Sequence, residues 1–259
     1  MGPQLLFDLY VLLVGLIVGS YLNVVIHRLP RRRSTVLPRS RCPSCGARIR
    51  ARDNIPLLSF LLLGGRCRSC GRPISLRYPL VEALTAALFV GSLERFGPEP
   101  EMVIAVGFGC LLITLAGIDY EHYLLPDLLT LPGLGAGLLL AVTTDWISWR
   151  EALLGAVLGA GVSWIFAEGW FRLRGEEGLG LGDVKMLGMI GAFLGWSGVL
   201  VTLFLASLTG TLVGAAFMIG DRMDLKSRLP FGVFLALGGL VALFFGPPLV
   251  GAYRSLLLP

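Results

Sequence analysis

Met102-Val-Ile-Ala-Val-Gly-Phe-Gly-Cys-Leu-Leu-Ile-Thr-Leu-Ala-Gly-Ile118 is an uncharged apolar run that ends abruptly on Asp119. It approaches the roughly 20 residues an α-helix needs to cross a bilayer. A carboxylate at such an edge is costly unless it faces protein or water. Comparable runs recur on both sides, at approximately 5–26, 79–96, 128–144, 148–168, 184–198, 199–219 and 231–252. The pattern predicts an all-α polytopic membrane protein of about eight transmembrane helices. The fourth and sixth runs are short and Gly-rich, so each fits a tilted or re-entrant segment as well as a full crossing. Composition agrees, since 55% hydrophobic residues, 15% charged residues and 35 glycines in 259 positions lie outside the range of soluble globular domains. In lipid, small residues let helix backbones approach closely.

The first run lacks a basic n-region and a clear cleavage site, so a retained helix rather than a signal peptide is expected. Thirteen of the 22 basic residues lie between Arg28 and Arg77, against one acidic residue, Asp53. By the positive-inside rule this short loop faces the cytoplasm. Counting spans then puts the N-terminus outside and returns the breaks at 119–127, 169–183 and 220–230 to the cytoplasmic side. Three segments are expected: a first transmembrane helix at 1–27, a basic cytoplasmic loop at 28–78 and a membrane-embedded domain at 79–259.

Within the loop, Cys42-Pro-Ser-Cys45 and Cys67-Arg-Ser-Cys70 form two CxxC knuckles, each followed by a glycine, Gly46 and Gly71. A tetrahedral zinc ion takes two close sulfurs from each of two tight turns, which this spacing supplies. The alternatives are two disulfides or four free thiols, and a reducing cytoplasm disfavours the disulfides. A loop expected to hold few large apolar side chains buries little surface, so bound Zn2+ would supply its folding energy. Cys110 is expected to be a small core residue. The arginines fix topology and can meet anionic head groups. No aromatic ladder for stacking on bases accompanies them, so no nucleic-acid partner is expected.

Two of the eight aspartates sit where a span meets the cytoplasm, Asp119 in Gly117-Ile-Asp119 and Asp183 in Gly180-Leu-Gly182-Asp183-Val-Lys185. The topology puts both on one face although 64 positions separate them, and Asp127 lies on that face too. Asp183 can also be read as a cap on a helix beginning at Val184. Gly-x-Gly-Asp alone is weak in so glycine-rich a chain; its placement is what counts. Two carboxyls in a low-dielectric setting share a proton, which supplies acid and base in one site. Gly180 and Gly182 would let an extended substrate backbone approach, while His27 and His122 are expected to be interfacial. A proton-coupled transporter would use such carboxylates as a relay, but that reading leaves the thiol loop unexplained.

Further blocks carry a resemblance: Gly19-Ser-Tyr-Leu-Asn23-Val-Val-Ile-His-Arg28-Leu-Pro30, Asp53-Asn-Ile-Pro-Leu-Leu-Ser59, Arg77-Tyr-Pro-Leu-Val-Glu82, Ile118-Asp119 through Leu125-Pro126-Asp127, Gly180 through Lys185, and Leu229-Pro-Phe-Gly232. Together with the knuckles they resemble the bacterial type IV prepilin peptidases, aspartyl proteases of the bacterial inner membrane. The flanking blocks do not fit presenilin-type intramembrane proteases, which share Gly-x-Gly-Asp. The resemblance implies cleavage after the glycine of a short basic leader on type IV prepilins or pseudopilins, at the cytoplasmic side, with Asp119 and Asp183 as the catalytic pair and Asp127, Gly180, Gly182 and Lys185 in support. It also implies N-methylation of the new terminus with S-adenosylmethionine. Glu82, Asn23 and Arg28 are candidates for that half, and Glu82 can equally anchor an arginine of the loop. Tyr21 and Val233 depart from the family's usual phenylalanine and proline without touching the expected chemistry.

Overall fold

The computed structural model describes residues 2–176, 178–219 and 229–257, and among them regular structure is helical, with no strand beyond two isolated bridges. The helices are α1 (Pro3–Arg28), α2 (Leu58–Leu62), α3 (Arg77–Phe96), α4 (Pro100–His122), α5 (Asp127–Thr143), α6 (Trp149–Arg174), α7 (Leu181–Ile219) and α8 (Phe231–Leu257). Four stretches, Gln4–Arg28, Pro100–His122, Trp149–Arg174 and Leu181–Ile219, are long and apolar enough to cross a membrane, and Asp127–Thr143 and Phe231–Gly246 are shorter apolar helices. The chain is a multi-pass membrane protein. The break expected at 220–230 lies almost wholly outside the described residues.

The sixth and seventh expected spans run together as α7, interrupted at Gly195 (φ 70°, ψ −177°). Only glycine enters that backbone region freely, so the break falls there rather than at the expected boundary of 198/199. The Trp146 indole N–H donates to the Phe193 carbonyl at 2.8 Å, just before the point where the helical ladder is interrupted. The fifth helix keeps Pro132 within it.

The chain divides into two compact units, Met1–Gly117 and Ile118–Pro259. In the first, α1 crosses α3 at close range: a Cβ on Gly19 would lie 2.7 Å from the Glu82 Cα. Asn23 clamps the crossing, its Nδ2 donating to the Gly19 carbonyl at 3.3 Å and the Tyr78 carbonyl at 3.0 Å. In the second, α6 and α7 touch backbone to backbone. A Cβ on Gly155 would lie 2.3 Å from the Gly191 carbonyl oxygen, and one on Gly191 2.1 Å from that of Gly155. Dispersion between closely packed backbones is the main attraction available between helices in lipid.

Candidate active site and metal centre

The knuckles of the first unit are two copies of one turn. Cys42 N–H donates to Ala47 O and Gly46 N–H to Cys42 O, both at 2.9 Å; Cys67 N–H to Arg72 O and Gly71 N–H to Cys67 O repeat the pattern at the same length. Gly46 and Gly71 have φ of 71° and 68°, which the return of each turn requires. The four sulfurs lie within 4.8 Å of one another, with Cys42 Sγ 4.0 Å from Cys70 Sγ. A tetrahedral ion with bonds of about 2.3 Å has sulfur–sulfur edges of about 3.8 Å, so the sulfurs are already near the geometry a metal imposes.

The thiols also constrain one another electrically. At Cys42 burial opposes ionisation, but the Cys45 and Ser44 N–H groups and the neighbouring thiols outweigh it and lower the pKa to about 7. At Cys45 the Ala47 N–H favours the thiolate, yet burial and the Cys42 and Cys70 sulfurs push it up to about 11. Four such sulfurs ionise together only when a cation is among them. Beside the cluster, Asp53 receives Arg68 through Nη2 at 2.7 Å and Nε at 3.0 Å.

In the second unit, Asp119 lies in the last turn of α4 and is 5% exposed. Its Oδ2 makes no hydrogen bond among the described residues, although the N–H groups of Gly232 and Val233 in the first turn of α8 face the carboxylate. A Cβ on Gly232 would stand 2.9 Å from that oxygen. Asp183, half-buried, is the third residue of α7 and lies within electrostatic range of Asp119. Its Oδ2 accepts the Gly180 N–H at 3.2 Å, the reach-back half of a capping box. The helix therefore begins at Leu181, ahead of the expected Val184. A Cβ on Gly182 would lie 2.9 Å from the Leu125 Cβ, so this glycine brings the start of α7 against Leu125. Asp127 and Lys185 meet, with Nζ 2.7 Å from Oδ1 and 2.8 Å from Oδ2, and tie the first turn of α5 to that of α7.

Site reading from sequence missed Gly232 and Leu125, which frame Asp119. The available signal was Leu229-Pro-Phe-Gly232 ahead of an apolar run, a helix-start pattern with no side-chain chemistry of its own.

The three candidates for methyl transfer lie in the first unit. Glu82, buried in α3, accepts the Leu57 N–H at 2.8 Å, with the Ser20 hydroxyl also against its carboxylate. Asn23 joins α1 to α3, and Arg28 donates to the Ser34 carbonyl at 2.9 Å and the Pro38 carbonyl at 2.7 Å, closing the first turn of the loop. Each makes a structural bond here. Cys110 is half-buried in α4; His27 and His122 stand half-buried in the last turns of α1 and α4, and His122 lies 3.8 Å from Glu121.

Residues 13–96 match the family model described as the bacterial peptidase A24 N-terminal domain, and residues 106–215 the one described as the type IV leader peptidase family. A relative in Myxococcus xanthus (strain DK1622) is 47% identical, covering 89% of this chain and 70% of its own. Relatives in Burkholderia pseudomallei (strain 1026b) and Aeromonas hydrophila are each 40% identical, over 95% and 98% of this chain and 87% and 95% of theirs. All three are described as prepilin leader peptidase/N-methyltransferase. No solved structure matches.

Proposed function

The chain belongs to the type IV leader peptidase family, and from that premise we propose that it cleaves the short basic leader from type IV prepilins or pseudopilins and N-methylates the new terminus. The observation that carries the peptidase half lies in the second unit, where Asp183 in the first turn of α7 stands within electrostatic range of the buried Asp119. Two carboxyls so placed hold one proton between them. The ionised member takes a proton from water as its oxygen attacks the scissile carbonyl; the protonated member hydrogen-bonds the carbonyl oxygen as charge develops on it. Collapse of the tetrahedral intermediate breaks the C–N bond, and the amine leaves with a proton. The buried Oδ2 of Asp119 has no protein partner among the described residues, which a water or substrate group would supply. Glu82, Asn23 and Arg28 remain our candidates on the transferase side, in positioning roles.

We place the protein in the bacterial inner membrane with this site at the cytoplasmic face, supported by the basic residues between Arg28 and Arg77. A leader held there by its own charge leaves its apolar helix in the bilayer, with the junction near the carboxylates. Structural Zn2+ would be held by Cys42, Cys45, Cys67 and Cys70, where it neutralises thiolates and closes the loop. S-adenosylmethionine would supply an electrophilic methyl group, but neither described cavity suits it. The one beside Glu82 is about 70 Å³, well under the ~300 Å³ of ordinary ligand pockets. The other, of about 540 Å³, is lined by Arg39, Arg48 and Arg50, which repel a sulfonium. The transferase half therefore rests on the relatives.

The test is cleavage of a synthetic prepilin by the purified protein in detergent, with Asp119→Asn and Asp183→Asn beside the unaltered chain. Loss of cleavage in both folded variants is the expected result. Cleavage retained by either would remove that residue from the catalytic pair.

A further inference from the structure

The basic loop contains an apolar surface that the chemistry above does not use. Leu58, Leu61 and Leu62 of α2 are 48%, 73% and 75% exposed, and their i, i+3, i+4 spacing puts them on one helical face. Ile55, one turn earlier, is exposed as well. The other side of the segment is held down. Ser59 is buried, its Oγ accepting the Ile55 N–H at 2.8 Å and donating to the Arg52 carbonyl at 3.1 Å. Phe60 and Leu63 line a cavity shared with Tyr78, Pro79 and Glu82.

One bond ties the start of this segment to α3. Leu57 N–H, immediately before α2, reaches Glu82 Oε2 at 2.8 Å, and Leu57 adopts φ 57°, ψ −49° to do so, a region that non-glycine residues occupy only when their surroundings compel it. Glu82 is five residues into α3, which begins at Arg77. At 1.5 Å per residue the bond lies about 7.5 Å along the helix from its start, within the roughly 5–10 Å depth at which interfacial helices bury their apolar face. Arg77 lies 4.8 Å over the Tyr78 ring, the pair expected at head-group level. From Leu76, just ahead of α3, an exposed stripe runs through Leu80 and Leu84, into the run at 79–96 that the sequence reads as a span.

We propose that α2 is an interfacial anchor: its Leu58, Leu61 and Leu62 face lies in the lipid leaflet adjoining the basic loop, and Glu82 is the positioning residue that fixes its depth. The thirteen basic residues between Arg28 and Arg77, with Asp53 their one acidic companion, match a leaflet rich in anionic lipid. The knuckles are thereby held beside the membrane by a second attachment besides the ends of α1 and α3.

The experiment uses the full chain in nanodiscs of phosphatidylglycerol and phosphatidylethanolamine, with a benzophenone amino acid replacing Leu61 or, as control, the exposed Ser69. The expected result is a lipid adduct at 61 exceeding that at 69 by about fivefold or more, as burial below the head groups requires. Adducts at 61 to another segment of this chain or to a second copy, or a lipid yield no greater than at 69, would overturn the proposal. In the 61-labelled protein Glu82→Ala should cut the lipid adduct by about threefold or more, while Glu82→Gln, whose amide oxygen still accepts the Leu57 N–H, should preserve it. An undiminished adduct in folded Glu82→Ala would also overturn it, since the depth would then not depend on that bond.

Discussion

The two units solve opposite problems. The loop in Met1–Gly117 has little interior of its own, so its chain is held by side chains that reach backbone: Arg28 to Ser34 and Pro38, Glu82 to Leu57, Ser59 to Arg52, with four thiols converging near the surface. Ile118–Pro259 is closed by removing side chains, as at Gly155 and Gly191, where any Cβ would meet backbone. The first arrangement leaves room for a ligand to complete the closure. In the second, the helix that carries Asp183 is fixed against α6 by backbone contact. The division assigns each expected site to one unit, which makes the comparison breakable.

The largest effect should come from the carboxyl pair. Asp119→Asn and Asp183→Asn should each lower leader cleavage by about 10³-fold or more, and the double variant should be no worse than the more severe single one, because a pair sharing one proton acts as a unit. Bound zinc should stay unchanged in all three. Multiplying defects would mean two independent roles, and altered metal content would break the separation of the units.

Next in size is the metal. Cys67→Ser should abolish stoichiometric zinc binding and expose the 28–78 segment to protease, as loss of a structural ion unfolds what it closed. Cleavage by the second unit should fall by less than about tenfold, since no thiol belongs to the carboxylate site. Zinc retained by Cys67→Ser, measured by atomic absorption, would dismiss the four-sulfur site.

Gly191→Val should follow. Its added atoms meet the Gly155 backbone, which cannot rotate away, so destabilisation at or above the usual ~1–3 kcal/mol of overpacking is expected. Thermal unfolding of the purified protein reads it, with zinc content as the internal control. A variant with unaltered melting would mean that α6 and α7 are not closely apposed.

Much of this was legible because charge and apolar length are linear signals. The ends of α1 and α4 fall within four residues of the runs read at 5–26 and 102–118, and α6 begins one residue inside the run read at 148–168 and extends past it to Arg174. What escaped depends on single bonds. The position of the α7 break is set by the φ of Gly195, not by the nearby Gly198. Helix α2 has five residues, too few for periodicity to register, and the expectation of few large apolar side chains in the loop overlooked Leu57 through Leu63. Glu82, read from the sequence as a candidate for methyl transfer or an anchor for a loop arginine, receives the backbone N–H of Leu57. The bond between Lys185 and Asp127 joins positions whose proximity only the packing of α5 on α7 reveals.

The smallest effects belong to ion pairs open to solvent, and one from each unit serves the comparison. Lys185→Ala frees a half-exposed carboxylate and should cost no more than about 1 kcal/mol. In the loop, the Arg68 guanidinium hydrogen-bonded to Asp53, aided by the nearby charges of Arg68, Arg52 and Arg50, holds the Asp53 carboxyl below its usual range. The folded form thus keeps its charge to lower pH than the unfolded chain. Whatever stability the pair adds is fully present above the ordinary aspartate pKa and disappears as pH falls through the lowered folded value. Near neutrality the loop should therefore be indifferent to pH at this pair. Arg68→Ala should move the Asp53 titration, followed by carboxyl NMR, up toward the ordinary range and leave zinc content untouched. A midpoint that does not move would show that the surrounding arginines, rather than this bond, set the charge of the one acidic residue in the basic loop.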